Sequence, residues 1–213
     1  MILPCYYNAP VSWYAMLMAS DEPAVIEVQD HYTKQTYRNR CRILGANGVI
    51  DLVIPVAKAH GEKTPMEEVK IDDDPPWQKI HWRSIFSAYA SAPFFEFMAD
   101  AYQPVYEKRY RYLADLNLDL VRITLDQLQL KRDVSTSREF THPASGRDLQ
   151  EIIHPKREFR HPDLQFKPVN YHQVFADRHG FQEDLSLIDL LFNEGPNAVA
   201  VLQRSIRSRA NLS

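Results

Sequence analysis

The chain has 213 residues, 45% hydrophobic and 25% charged, the balance of an ordinary globular protein. Its 25 basic and 28 acidic side chains leave a net charge of −3, which argues against a global basic field for nucleic acid or an anionic membrane. Only six glycines occur, and neither GxGxxG nor GxxxxGK[ST] is present, so the common Rossmann and P-loop phosphate sites are disfavoured.

No stretch of about 18 apolar residues exists, so no transmembrane helix is expected. Met1-Ile2-Leu3-Pro4-Cys5 lacks the basic start and apolar stretch of a secretory signal. Two cysteines, Cys5 and Cys41, are too few for a disulfide framework, which points to a reducing, cytoplasmic setting. The length fits one domain over 1–213, read as a core (1–130), a proline-rich wrapping segment (131–170) and a helical C-terminal element (171–213).

Pro10 opens a short helix over 10–20 that is apolar nearly all round and therefore buried. Residues 24–28 read as a strand. Residues 36–44 alternate, with Tyr37, Asn39, Cys41 and Ile43 on one face and Arg38, Arg40 and Arg42 on the other. The turn Gly45-Ala46-Asn47-Gly48 joins this run to 49–57, giving a hairpin over 36–57. Residues 67–71 suggest a third strand.

The period turns helical at Trp77, with Ile80, His81, Ile85, Ala88 and Tyr89 on the same apolar face. A second helix follows over 94–102, and a broken or continuous helical stretch covers 104–130. Residues 131–170 contain ten hydrophobic residues, 14 charged ones and four prolines, too little apolar surface for a core. Ser186 with Asp189 suggests a capping box, Gly195-Pro196 a helix stop, and 198–208 a last helix. The predicted fold is α/β, a small mixed sheet with the hairpin packed by helices; α+β is the alternative.

The sharpest chemical feature is the acid-free stretch holding Lys34, Arg38, Arg40 and Arg42. Guanidiniums about 7 Å apart along a strand repel one another and suit phosphate, which they bind bidentately. Solvation, or ion pairs to Glu67, Glu68 and Asp72 to Asp74, is the competing reading. Gln29 and Asp30 close the preceding strand, where a carboxylate either serves a ligand or neutralises the arginines. His81 is either a general base or a hydrogen-bonded core residue. Prolines follow His142, His154 and His161, and the spacing of these histidines is too irregular for a metal site, so no metal and no cofactor are expected. Ser186 with Asp189, and the cysteines, are better read as caps and buried thiols than as nucleophiles.

Several blocks together resemble a known family. They are Gln29-Asp30, Lys34, Tyr37-Arg38-Asn39-Arg40, Ile43, Gly48 and Leu52-Val53-Ile54-Pro55-Val56. Further on come Trp77, His81-Trp82, Ile85, Ala88-Tyr89 and Pro93-Phe94-Phe95, then Tyr171, Gln173, Phe175 and the run from Leu185 to Asn193. This order resembles the WbqC-like family of bacterial proteins, associated with surface-polysaccharide gene clusters. The resemblance covers most of the chain outside 131–145. Many members open with a strand ending His-Gln-Pro, and here that place reads Leu3-Pro4-Cys5-Tyr6-Tyr7.

The resemblance implies a role near lipopolysaccharide or capsule synthesis. Combined with the basic stretch, it gives a cytoplasmic transferase using a phosphate-containing donor, such as a nucleotide sugar or acyl carrier, and a sugar acceptor. Lys34, Arg38 and Arg40 would hold phosphate, and His81 or Asp30 would act as base. Gln29, Asn39, Tyr89, Tyr171 and Gln173 would contact substrate. The rival is a non-enzymatic binding or scaffold protein of the envelope-synthesis machinery. A third reading, single-stranded nucleic-acid binding through the same arginines, is opposed by the net charge and the shortness of the basic stretch.

Overall fold

The computed structural model describes residues 1–57, 64–140, 152–155 and 166–206. Strand β1 (Ile2–Pro4) leads through helix α1 (Val11–Ala19) to β2 (Ala24–Glu27), which pairs with it in parallel. The buried strip Val11 to Leu17 covers nearly every direction around α1, as its unbroken apolar sequence requires. Trp13 Nε1 donates to the Pro4 carbonyl at 2.9 Å and ties the helix back to its strand.

The hairpin forms a separate two-stranded sheet from β3 (Arg40–Gly45) and β4 (Gly48–Val53). Gly45 pairs with Gly48, so Ala46-Asn47 is a two-residue loop, and Gly48 takes a φ of 110° that a side chain would resist. Cys41, Ile43 and Leu52 point into the core. Helices and strands thus combine in small open sheets, with the parallel and antiparallel pairs kept apart.

The third strand over 67–71 does not form. Residues Met66–Glu68 make a 3-10 turn, and the chain beyond it runs beside residues 111–113. Lys70 bridges Tyr112 and Ile71 bridges Val56, single pairings rather than a ladder.

Helix α2 (Trp77–Tyr89) buries Trp77, His81, Ile85, Ala88 and Tyr89 as predicted. Ile80 departs from that face and is 54% exposed. Helix α3 (Phe95–Tyr102) follows, then a 3-10 turn at Gln103–Tyr106 and α4 (Leu113–Gln127), so the helical stretch after Pro104 is broken. Its break coincides with the Tyr112 bridge, which holds the residue before α4 extended.

The wrapping segment begins inside the fold. Strand β5 (Val134–Thr136) pairs in parallel with β2 and gives the sheet order β1-β2-β5. Ile153 is fully buried, and its carbonyl accepts the Tyr6 hydroxyl at 2.9 Å. The rest of that segment over 141–151 and 156–165, including His142 and His161, lies outside the described residues. The C-terminal part supplies α5 (Ala176–His179), α6 (Leu187–Glu194) and α7 (Ala198–Ser205). The last helix stops short of the predicted 208: it ends at Ser205, because Ile206 is extended and bridges Phe166, and 207 and 208 lie outside the described residues.

Candidate functional site

Because β1, β2 and β5 run parallel, their carboxyl ends lie on one edge of the sheet, where open α/β sheets seat ligands. Glu27 at the end of β2 is 2% exposed. Its Oε1 accepts the Ser137 hydroxyl and the Gln29 backbone N–H, each at 2.7 Å. Gln29 therefore enters the site through its backbone. Asp30 follows, and its carbonyl accepts the Met66 N–H at 2.9 Å, pinning the loop after β2 to the turn at 66.

The Asp30 carboxylate is paired with the Arg38 guanidinium. Arg38 is 6% exposed at its side chain and Asp30 20%, so the pair is largely withdrawn from water. The neutralising role of Asp30 is the one seen in the structure.

Arg38 does not share a strand face with the other arginines. Residues 36–39 are a turn, and β3 begins only at Arg40. That turn is stitched by backbone groups: the Tyr37 carbonyl accepts Tyr7 N–H at 2.9 Å, and the Arg38 carbonyl accepts Asn117 Nδ2 at 2.9 Å. Asn39 pairs twice with Ile54, its carbonyl accepting the Ile54 N–H and its Nδ2 donating to the Ile54 carbonyl, both at 2.8 Å. These bonds explain why polar residues alternate poorly here: their side chains anchor the hairpin's base instead of lining a strand.

Arg40 lies on the outer face of β3, half-buried, with Nη1 at 4.0 Å from Asp51 on β4. Its Nε is buried and has no hydrogen-bond partner among the described residues. Burial pushes the Tyr32 hydroxyl above its usual pKa, and the positive charges of Arg40 and Arg38 pull it back. Lys34 sits exposed in the same loop. The positive charge of Arg42, two residues beyond Arg40 on β3, acts on the buried Asp184 carboxyl and lowers its pKa.

His81 is enclosed elsewhere. It is 3% exposed, Nδ1 lies 2.8 Å from the Tyr7 hydroxyl, and Nε2 lies 3.2 Å from the Val53 carbonyl. The carbonyl can only accept, so Nε2 carries the proton and Nδ1 accepts from Tyr7. The chain continues through the Tyr106 hydroxyl, 3.1 Å from Tyr7, to Asn8 Nδ2 at 2.9 Å. Burial pushes the imidazole pKa down to about 4. Both ring nitrogens are occupied and the ring stays neutral at pH 7, the marks of an internal hydrogen-bonded histidine rather than a base.

Tyr89, Tyr171 and Gln173 come together, yet on Asp189 rather than beside the arginines. Tyr89 donates to Asp189 Oδ1 at 2.8 Å, and Tyr171 and Gln173 donate to Oδ2 at 2.7 and 3.0 Å. Burial raises the Asp189 pKa to about 6 even against these donors. The capping box is accordingly absent. Asp189 faces inward, and the Ser186 hydroxyl donates to the Asn8 carbonyl at 2.7 Å. Cys5 and Cys41 are buried free thiols, and burial pushes Cys5 up to about 12.

The model of the WbqC-like protein family matches residues 5–162, from the end of β1 through the arginine turn and α4. The chain belongs to the WbqC-like protein family. An uncharacterized protein of Mycobacterium tuberculosis strain H37Rv, Rv1507c, is 26% identical over 212 residues, covering 89% of this chain and 91% of that protein. No solved structure matches. Of the blocks that carry the family resemblance, those from Gln29 to Val56 fall in the loop after β2 and the hairpin, and the others fall on α2, at the start of α3 and in the C-terminal part around α6. Glu27, Tyr32, Asn117 and Ser137 complete that edge and escaped the sequence reading. Only Glu27 carried a signal there, as an acid within an apolar strand. No helix among the described residues is long and apolar enough to cross a membrane.

Proposed function

We propose that this protein is a cytoplasmic transferase of bacterial surface-polysaccharide synthesis, using a phosphate-containing activated donor such as a nucleotide sugar. The observation that supports this reading is the largely buried Asp30–Arg38 pair in the loop after β2, at the carboxyl edge of the parallel strands, with Arg40 two residues further along the chain. Arg40 offers a guanidinium whose Nε lacks a partner among the described residues, and exposed Lys34 adds a mobile point charge.

Donor phosphate reaching Arg38 competes with Asp30 for the guanidinium. The displaced carboxylate then stands free beside the donor to take a proton. The acceptor hydroxyl oxygen attacks the transferred carbon, and the carbon–oxygen bond to phosphate breaks. The leaving phosphate keeps the electron pair against Arg40, and the hydroxyl proton passes to Asp30. Asn39 contributes its Oδ1, which has no hydrogen-bond partner among the described residues, to a donor hydroxyl. His81, Tyr89, Tyr171 and Gln173 have no role in this step.

The non-enzymatic scaffold reading is favoured by two observations: the enclosure of His81 and the Leu3-Pro4-Cys5 sequence at the place where the resemblance implies His-Gln-Pro in many members. Transfer or hydrolysis of a panel of nucleotide sugars separates the two. The transferase reading predicts turnover by the wild type that Asp30→Asn lowers at least a hundredfold while donor affinity is kept or raised, since the competing carboxylate charge is gone. Absence of turnover with any donor, alongside intact binding, favours the scaffold.

A further inference from the structure

Helices α2 and α3 carry exposed side chains that the site does not use. On α2, Ile80 and Phe86 are each 54% exposed, although large apolar groups at such positions normally face the core. Lys79 and Arg83 are exposed on the same side of the helix, since 79, 80, 83 and 86 fall within about a third of a turn's circumference at 100° per residue. The buried residues Trp77, His81, Ile85 and Ala88 lie opposite. Helix α2 contains no acid.

Helix α3 is its counterpart. Phe97 is 79% exposed, and Glu96 and Asp100 are exposed beside it. Phe95, Met98, Ala99 and Tyr102 occupy the buried side. No base lies in α3. The two helices are bound to each other by rings, Phe95 meeting Phe86 at 5.6 Å and Trp82 at 6.2 Å, so the two outward faces are held in fixed relation.

Lys79, Arg83, Glu96 and Asp100 make no ion pair among the described residues. The cations of α2 and the anions of α3 thus leave one another unneutralised among the described residues. One face offers apolar groups with two positive charges, and its neighbour offers an apolar group with two negative charges. A two-fold axis lays the first face of one chain on the second face of its copy, and by symmetry the reverse contact forms at once.

We propose that this surface is a self-complementary dimer interface, with α2 of one chain seated on α3 of a second copy. A membrane surface would match the cations of α2 but not the acids around Phe97, and so accounts for half of the pattern. The contact rests on three apolar side chains and four charges per chain, a small interface, so weak association with a Kd of roughly 1–100 μM is expected.

The test is sedimentation equilibrium of the wild type from about 1 to 500 μM, with two charge-reversed variants. One is Lys79→Glu with Arg83→Glu, and the other is Glu96→Lys with Asp100→Lys. Each variant alone places like charges in contact and should dissociate at least tenfold more readily than the wild type. Mixed in equal amounts, the two restore opposite charges at both contacts, so heterodimer should form with at least the wild-type affinity. Circular dichroism checks that the variants fold, as expected for exposed positions. Phe97→Ser should also dissociate the wild type. A wild type that stays monomeric throughout overturns the proposal, whether or not it sediments with anionic vesicles. A dimer indifferent to either charge reversal, or variants that fail to pair when mixed, overturns it equally.

Discussion

Arg38 holds a guanidinium almost wholly inside the protein, and Asp30 is what makes that tolerable. Removing one partner of such a pair strands the other charge, which costs about 3 kcal/mol or more. Arg38→Ala should therefore lower stability in urea by that order, and Arg38→Ala with Asp30→Ala should recover much of the loss. A single-variant loss below about 1 kcal/mol would mean the pair is solvated and contributes little. Loss of ligand binding by Arg38→Ala alone is thus ambiguous, whereas Arg40 and Lys34 report on binding more cleanly.

His81 carries a second prediction at this scale. Its pKa in the fold, about 4, lies below the ordinary 6.5 because burial opposes the charged ring. The unfolded chain takes up a proton first as pH falls, so the stability this residue confers is complete above pH 6.5 and is lost toward pH 4. His81→Gln should remove that part of the acid sensitivity in thermal melts between pH 6.5 and 4. An unchanged pH slope contradicts it.

Sequence legibility at the residue scale followed local pattern. The apolar neighbours of His81 were plain from helical spacing, but nothing local revealed that Tyr7, 74 positions away, would occupy its Nδ1. The Asp30–Arg38 pairing was visible as one of two alternatives, because both charges lie in one short loop. Asp189 reads as a cap in the sequence because a carboxylate three residues after a serine looks the same whether it turns to the helix end or inward to two tyrosines.

Among the elements, α1 has Pro10 at its N-cap and so no local side-chain cap. Asp184, distant in sequence, supplies one: its carboxylate accepts the Ser12 N–H at 2.7 Å and the Ser12 hydroxyl at 2.9 Å. Asp184→Ala should cost about 1–2 kcal/mol in equilibrium unfolding, as loss of an N-cap does. Burial also raises its pKa from 3.8 to about 7. An acid held up in this way favours the fold when protonated, so its contribution is complete below pH 3.8 and is lost as pH rises through 7. Asp184→Asn should flatten that decline, opposite in sign to the effect at His81. A decline as steep as the wild type's contradicts this assignment.

Gly195 ends α6 with a φ of 53°, and a Cβ there would stand 2.4 Å from Phe94 Cδ1. Gly195→Ala combines left-handed strain of about 1–2 kcal/mol with that clash, and thermal unfolding should register at least the strain. Its role as a helix stop was legible in Gly195-Pro196. The hairpin and α1 to α3 were legible for the same reason, since period and punctuation suffice where each element's partner is near in sequence. Strand β5 was not, because three residues in a charged segment become a strand only through β2, more than 100 residues earlier.

Across the whole molecule, the long excursion between β2 and β5 carries the hairpin, α2, α3 and α4 before the chain returns to the sheet. That return places Ser137 on Glu27 and α4's Asn117 under the Arg38 turn, so the basic edge is assembled from segments that composition alone left unrelated. The overall class of helices on small sheets was readable from alternating periods. The position of the arginines, on which the proposed function rests, depends on this closure.

The proposed transfer requires a phosphate group held by Arg38, Arg40 and Lys34 at that edge. Calorimetric titration with UDP-glucose and with coenzyme A, on the wild type and on Arg40→Gln, addresses it most directly. At least one of the two should bind the wild type with an affinity that falls as salt rises, and Arg40→Gln should weaken it about tenfold or more with the melting temperature preserved. Binding of equal strength by the folded Arg40→Gln protein, or no binding of either compound by the wild type, contradicts it.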